Sequence, residues 1–190
     1  MSRERIRVVP HRRRREQKTD YRQRLGLLRS GKPRFVVRKT NNNIVCQIVS
    51  YKPDGDTTMV TATAADVRKM GWKGHGGNLP VAYLTGLLCG IRAKGKGVKD
   101  AVMDIGLHTS TKGSALYAAL KGGLDAGIDI PHSEDVMPSA ERVSGKSISE
   151  YRKQDVTKNF EETKAKIVSG KQATEKAAAA KPKAKPAKAK

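Results

Sequence analysis

The stretch "AVMDIGLHTSTKGSALYAAL", Ala101–Leu120, decides how this chain folds. Ala101–Ile105 is a short apolar run that predicts a buried strand. Ala115–Leu120 opens a helix whose inward stripe is Leu116, Ala119, Leu120 and Leu124, with Gly127 past its end. Gly106–Ser114 joins the two. Strand, glycine-containing loop and helix is the setting in which phosphate-binding loops work. A nucleotide-binding P-loop needs Gly immediately before its Lys, so that backbone N–H groups can wrap the phosphates. Here the order is Lys112-Gly113-Ser114, and the spacing from Gly106 is also wrong. Nucleoside triphosphate binding is therefore not expected. A simpler anion site survives at the helix N-terminus, with Lys112 and the Gly113 and Ser114 N–H groups as donors and His108, Thr109, Ser110 and Thr111 beside them. An RNA phosphate fits such a site as well as a nucleotide does. The competing reading is a capped helix with an exposed polar loop.

Three β-branched runs precede this unit. Arg34–Arg38, Ile44–Tyr51 and Thr57–Thr63 are separated by the turns Asn41–Asn43 and Lys52–Asp56, which predicts an antiparallel meander. Asp66–Met70 reads as a short helical turn. "GWKGHGGN", Gly71–Asn78, reads as a loose loop. Asn78 is placed to cap the next helix and Pro80 lies in its first turn, where a missing N–H costs nothing. Leu84, Leu87, Leu88 and Ile91 give that helix an apolar stripe, and Gly95 and Gly97 stop it. The order is β-β-β-α-β-α. The fold class is α/β with α+β character, a mixed sheet with both helices on one face. Ile130–Ser139 is a Pro-punctuated loop, and Ser147 to about Val168 predicts a weakly amphipathic helix lying on the surface.

The charge is unevenly placed. The 190 residues carry a formal net charge of +21, and residues 1–34 hold 13 Lys and Arg against 3 Asp and Glu. Residues 171–190, rich in Lys, Ala and Pro, hold 7 Lys against one Glu and predict a disordered tail. The middle of the chain is close to an ordinary globular domain. This predicts four segments: a basic arm with a short helix at 1–33, a globular domain at 34–130, a loop and surface helix at 131–170, and the tail at 171–190. A charge of this size argues for a polyanionic partner. The run Arg12–Arg15 cannot fold alone, since it holds no apolar group and its charges repel. It leads into a helix starting near Asp20 and ending at Ser30–Pro33. Tethered this way, a basic arm can order on a folded RNA. Tyr21, Trp72 and His75 interleave with Arg22, Arg24 and Lys73, as expected of stacking beside phosphate contacts, although Trp72 could equally cover the sheet's edge.

Signals for other chemistry are weak. Asp104 and His108 fall on one face of an extended segment but about 13 Å apart, too far for a catalytic pair, and Asp104 is better placed to bond a loop backbone. The four His residues show no metal-binding spacing. Cys46 and Cys89 form no CxxC pair and lie in apolar runs, as buried free thiols of a reducing cytoplasm do. Arg occupies the positions where a signal peptide would need its apolar core, and the apolar run Leu79–Ile91 is too short to span a bilayer. The expectation is a soluble intracellular protein with no enzyme activity, cofactor, membrane or small-molecule substrate.

Several long segments, in order, also carry a family resemblance: "RRRREQKTDYRQRL", "SGKPRFVVRKTNN", "GWKGHGGNLPVAYLTGLLCG", "DIGLHTSTKGSALYAALKGGLDAGIDIPHSE" and "RVSGKSISEY". They resemble the large-subunit ribosomal proteins that bind 5S rRNA, the protein-eighteen family in its archaeal form, whose longer eukaryotic counterpart is large-subunit protein five. The likeness covers roughly residues 5–155. It implies a structural constituent of the large ribosomal subunit, which binds 5S rRNA and anchors it to 23S rRNA in the central protuberance beside neighbouring ribosomal proteins. It further implies arm contacts from Arg12, Arg13, Arg14, Arg15, Lys18, Tyr21, Arg22 and Arg24, and sheet-edge contacts from Arg34, Arg38 and Lys39; Lys32 is a further expected RNA contact. A loop contact from His108–Ser114 with Lys121 is implied as well, while Trp72, Lys73 and His75 stand as RNA contacts on the stacking pattern alone. A general RNA chaperone acting outside the ribosome is the alternative.

Overall fold

A computed structural model describes residues 9–152 and 155–170. The first three strands are β1 (Arg34–Lys39), β2 (Ile44–Ser50) and β3 (Thr57–Thr63). They form the expected meander, each pair antiparallel, with a bulge at Ile48/Val49. The fourth, β4 (Val102–Asp104), is shorter than the apolar run that announced it and pairs parallel with β1. The sheet order is β3-β2-β1-β4, so it is mixed, and β1 is an interior strand.

Alternation along the strands sorts the two faces. Phe35, Val37, Ile44, Cys46, Ile48, Val60 and Ala62 enter the main core. Arg34, Val36, Arg38, Gln47 and Val49 alternate with them and line a cleft on the other face. Helices α4 (Leu79–Lys94) and α5 (Ala115–Asp125) cover the core face, α4 against β2 and β3 and α5 against β1. Asn78 Oδ1 accepts from Val81 N at 3.2 Å and caps α4, with Pro80 in the first turn as its sequence predicts. The stripe expected of α4 is too narrow a description. The helix is buried nearly all round because it is enclosed by the sheet, α5, α3 (Ala64–Lys69) and the C-terminal helices. Tyr83 on α4 donates to Asp125 of α5 at 2.6 Å, and burial together with that bond pushes the phenol's pKa up.

The single surface helix expected over 147–168 is instead two, α7 (Lys146–Arg152) and α8 (Val156–Val168), preceded by the short α6 (Ala140–Ser144). Helix α8 is not a surface rider. Val156, Phe160, Thr163 and Ile167 form a buried stripe, three of them in the same core as α4. "GHGG" is not loose either. A Cβ on Gly77 would lie 2.1 Å from the Asn41 carbonyl oxygen, and one on Gly76 2.5 Å from that of Asn42, so the loop is pressed onto the β1–β2 turn. Cys46 and Cys89 are buried free thiols, with Cys89 pushed up to about 12 by burial. The tail at 171–190 lies outside the described residues.

Candidate nucleic-acid interface

The arm takes more shape than like charges alone predict. Arg12–Arg15 forms one helical turn, α1, in which Arg12 Nε meets Glu16 at 2.7 Å and Lys18 meets the same carboxylate at 2.9 Å. Those two bonds hold the Glu16 pKa below the ordinary carboxylate value. Asp20 accepts from the N–H groups of Arg22 and Gln23 and starts α2 (Tyr21–Leu28). The Tyr21 ring is exposed and tilted against His11 with centroids 5.5 Å apart. Arg14, Arg15 and Arg22 are also exposed, while Arg13 Nε donates to Thr19 Oγ1 at 2.8 Å.

Arm and sheet meet through a network that sequence reasoning missed. Arg34 is 5% exposed and lies between two carboxylates, Asp104 at 2.8 Å and Asp56. Arg38 Nη2 binds Asp104 Oδ1 at 2.9 Å, and Arg24 of α2 reaches Asp56 at 2.9 Å. Gly106 N also donates to Asp104, so that residue does bond a loop backbone, as its position suggested. Burial raises the Asp104 pKa, but the Arg38 charge and the bonds from Arg38, Arg34 and Gly106 outweigh it and hold the carboxyl below its usual range. Arg34 is therefore not a sheet-edge contact. Its strand is interior and its guanidinium is spent on two carboxylates, although its Nε finds no partner among the described residues. A signal was present in the sequence: Asp104 and Arg34 are charges set in apolar strands, and buried charges require partners.

Other expected residues divide similarly. Trp72 is 3% exposed and belongs to the core, with Nε1 donating to the His75 carbonyl, so it cannot stack on a base. His75 Nε2 donates to Asn42 Oδ1 and its Nδ1 accepts from Gly77 N, which braces the loop, while Lys73 is exposed. Lys39 is exposed, and its backbone N–H donates to His108 Nε2. Burial first, then the charges of Arg38 and Lys39, lower the His108 pKa. Lys32 pairs with Asp100 at 3.4 Å, and half-buried Lys121 donates to the Pro138 carbonyl.

The loop 106–114 departs most from expectation. Gly113 N–H donates to the Val136 carbonyl at 2.9 Å and Ser114 N–H to Thr111 at 3.2 Å. Both backbone donors assigned to a phosphate are thus already engaged. Ser114 Oγ is buried with no partner among the described residues, and Ser110 bonds the Tyr117 hydroxyl. Thr109, Thr111 and Lys112 remain exposed, so the loop offers side chains rather than a backbone cradle.

A mixed α/β domain with exposed cations along an arm and a connecting loop defines a polyanion-binding protein. The model of the family described as "Ribosomal large subunit proteins 60S L5, and 50S L18" matches residues 5–100 and 91–133. A relative from Methanococcus maripaludis, "Large ribosomal subunit protein uL18", is 56% identical over 143 residues, covering 75% of this chain and 74% of its own. The chain belongs to this family of large-subunit ribosomal proteins. Its place is the large subunit of the ribosome, in the cytoplasm, and no described helix is long and apolar enough to cross a membrane.

Proposed function

We propose that the chain binds 5S rRNA and anchors it to 23S rRNA in the central protuberance, among neighbouring large-subunit proteins. It does so as a structural component, with no reaction, cofactor or small-molecule substrate of its own. The observation that carries this reading is the arm, whose α1 buries none of its residues and sets four consecutive Arg beside the domain. Such a row suits phosphates better than a protein surface. Lys18, Tyr21, Arg22, Lys39, Lys73, Thr109, Thr111 and Lys112 extend the exposed polar and cationic surface.

Deleting residues 1–17 removes seven Arg. Each neutralised phosphate contributes roughly 0.7–0.9 to the slope of log K against log salt, so if about half the Arg touch phosphate the slope flattens by about 3. The domain stays folded, because α1 contributes nothing to the core. Filter binding to 5S rRNA across a salt series measures this. An unchanged slope would assign the arm to 23S rRNA alone.

The loop makes a smaller contribution. Lys112→Ala costs about 1 kcal/mol of 5S rRNA affinity, the range of a charge-assisted hydrogen bond at a partly solvated site. Its melting temperature stays at the parent value, since Lys112 is exposed and has no buried contact. Unaltered affinity and footprint would leave the loop as a helix connector.

A further inference from the structure

On the face of the sheet turned away from the main core, the arm and strands enclose a cleft of 280 Å³. Its wall on the arm side includes Arg13 and Leu27, and its wall on the sheet side includes Val36, Gln47, Val49 and Arg38. We propose that this cleft receives one unpaired nucleotide of the bound RNA, its base on the Val36–Val49 floor and its phosphate toward Arg13 and Arg38. The proposal rests on the reading of the chain as a 5S rRNA-binding protein and adds a site to it.

Four observations converge. The volume is at the lower edge of the roughly 300–1,000 Å³ typical of small-ligand pockets, which suits one nucleoside; a paired helix cannot enter beneath α2. Val36 and Val49 lie outside the main core, 8% and 7% exposed, and are the apolar part of a floor otherwise lined by polar and charged side chains, the part against which an unstacked base can lie. Gln47 pairs with Val36 across the strands, two residues before Val49 on β2, and carries a donor and an acceptor on one group, as reading a base edge requires; among the described residues its Nε2 bonds only Thr61 Oγ1, at 3.3 Å. The charge is suited to an anion. Asp56 and Asp104 are each held by two Arg, so the network of Arg24, Arg34, Arg38, Asp56 and Asp104 is net cationic. Arg13 is exposed beside it.

Two variants test this on the full chain. Gln47→Glu is isosteric but adds a negative charge and removes a donor inside the cleft. It is expected to weaken 5S rRNA binding about tenfold at an unchanged melting temperature. Leu107→Cys, at the exposed rim of the cleft and labelled with a benzophenone maleimide, is expected to photo-crosslink to one nucleotide or two adjacent ones in an unpaired segment. The native thiols at Cys46 and Cys89 are fully buried and resist the label. If the parent binds 5S rRNA selectively, yet Gln47→Glu binds within twofold of it and no adduct forms, the cleft is empty of RNA while the broader function stands. Adducts spread along paired stems would equally overturn the proposal. If free nucleoside monophosphates at millimolar concentration abolish the adduct, the cleft serves free nucleotides and the RNA assignment fails. If the parent shows no preference for 5S rRNA, the function and this site fall together.

Discussion

Gly86→Ala is expected to lower the melting temperature by roughly 6–12 °C, although on helix propensity alone the change would stabilise by about 1 kcal/mol. Packing decides the sign. A Cβ on Gly86 would lie 2.0 Å from the carbonyl oxygen of Ala119, and one on Gly122 would lie 2.1 Å from that of Tyr83. Each glycine thus meets the backbone of the facing helix, and backbone cannot rotate away as a side chain does. The two helices touch along small residues, and the added methyl must push α4 and α5 apart through the middle of the core. Overpacking of this kind costs about 1–3 kcal/mol, here the upper end because both walls are rigid. Gly122→Ala should behave alike. Gly26→Ala in α2 is the control: its new methyl meets nothing within 4 Å, so the core should not register it. A melting temperature unchanged or raised in Gly86→Ala, by calorimetry, would mean that the helices are not packed this closely.

Asp104→Ala is expected to cost about 3–5 kcal/mol, because it strips a buried guanidinium of one of its two carboxylates. The Arg34 and Asp104 side chains are 6% and 7% exposed, so water cannot take the lost partner's place. Arg38 loses the same anchor, and Gly106 loses the acceptor that starts the loop. The double variant Arg34→Met, Asp104→Leu should recover part of the loss, since two apolar groups leave fewer unpaired charges behind. The pH dependence has a definite sign. The folded pKa of Asp104 is depressed, so its contribution is fully present above the unfolded value near 3.8 and is lost as pH falls through the folded pKa. Below pH about 4 the parent's melting temperature should therefore fall more steeply than that of Asp104→Asn. Parallel curves in chemical or thermal unfolding would remove Asp104 from the account.

What could be read in advance follows physical lines. Asn78, Pro80 and the apolar spacing behind them are local signals, and α4 begins where they place it. The three antiparallel strands are equally local, being joined by short turns. The parallel pairing of β4 with β1 is not. It turned an expected edge into an interior strand and took Arg34 out of reach of RNA. Trp72 stands among Gly, Lys and His, so its sequence context leaves stacking on RNA and covering the sheet's edge equally open; the loop folds its ring inward. The stripe Val156, Phe160, Thr163, Ile167 has helical spacing, but Thr in the line and charges on every side disguised it. The loop donors failed for a different reason. Gly113 N–H is taken by Val136, a residue with no sequence signal tying it to the loop. The arm's cations were legible because charge on a segment without apolar residues has few places to hide.

Selective recognition of 5S rRNA is tested most simply by direct competition between archaeal 5S rRNA and tRNA for the full chain. At near-physiological salt, where non-specific phosphate contacts are weakened, 5S rRNA should be preferred by about tenfold or more. Equal affinity for the two RNAs would contradict the account and make the chain a general RNA binder.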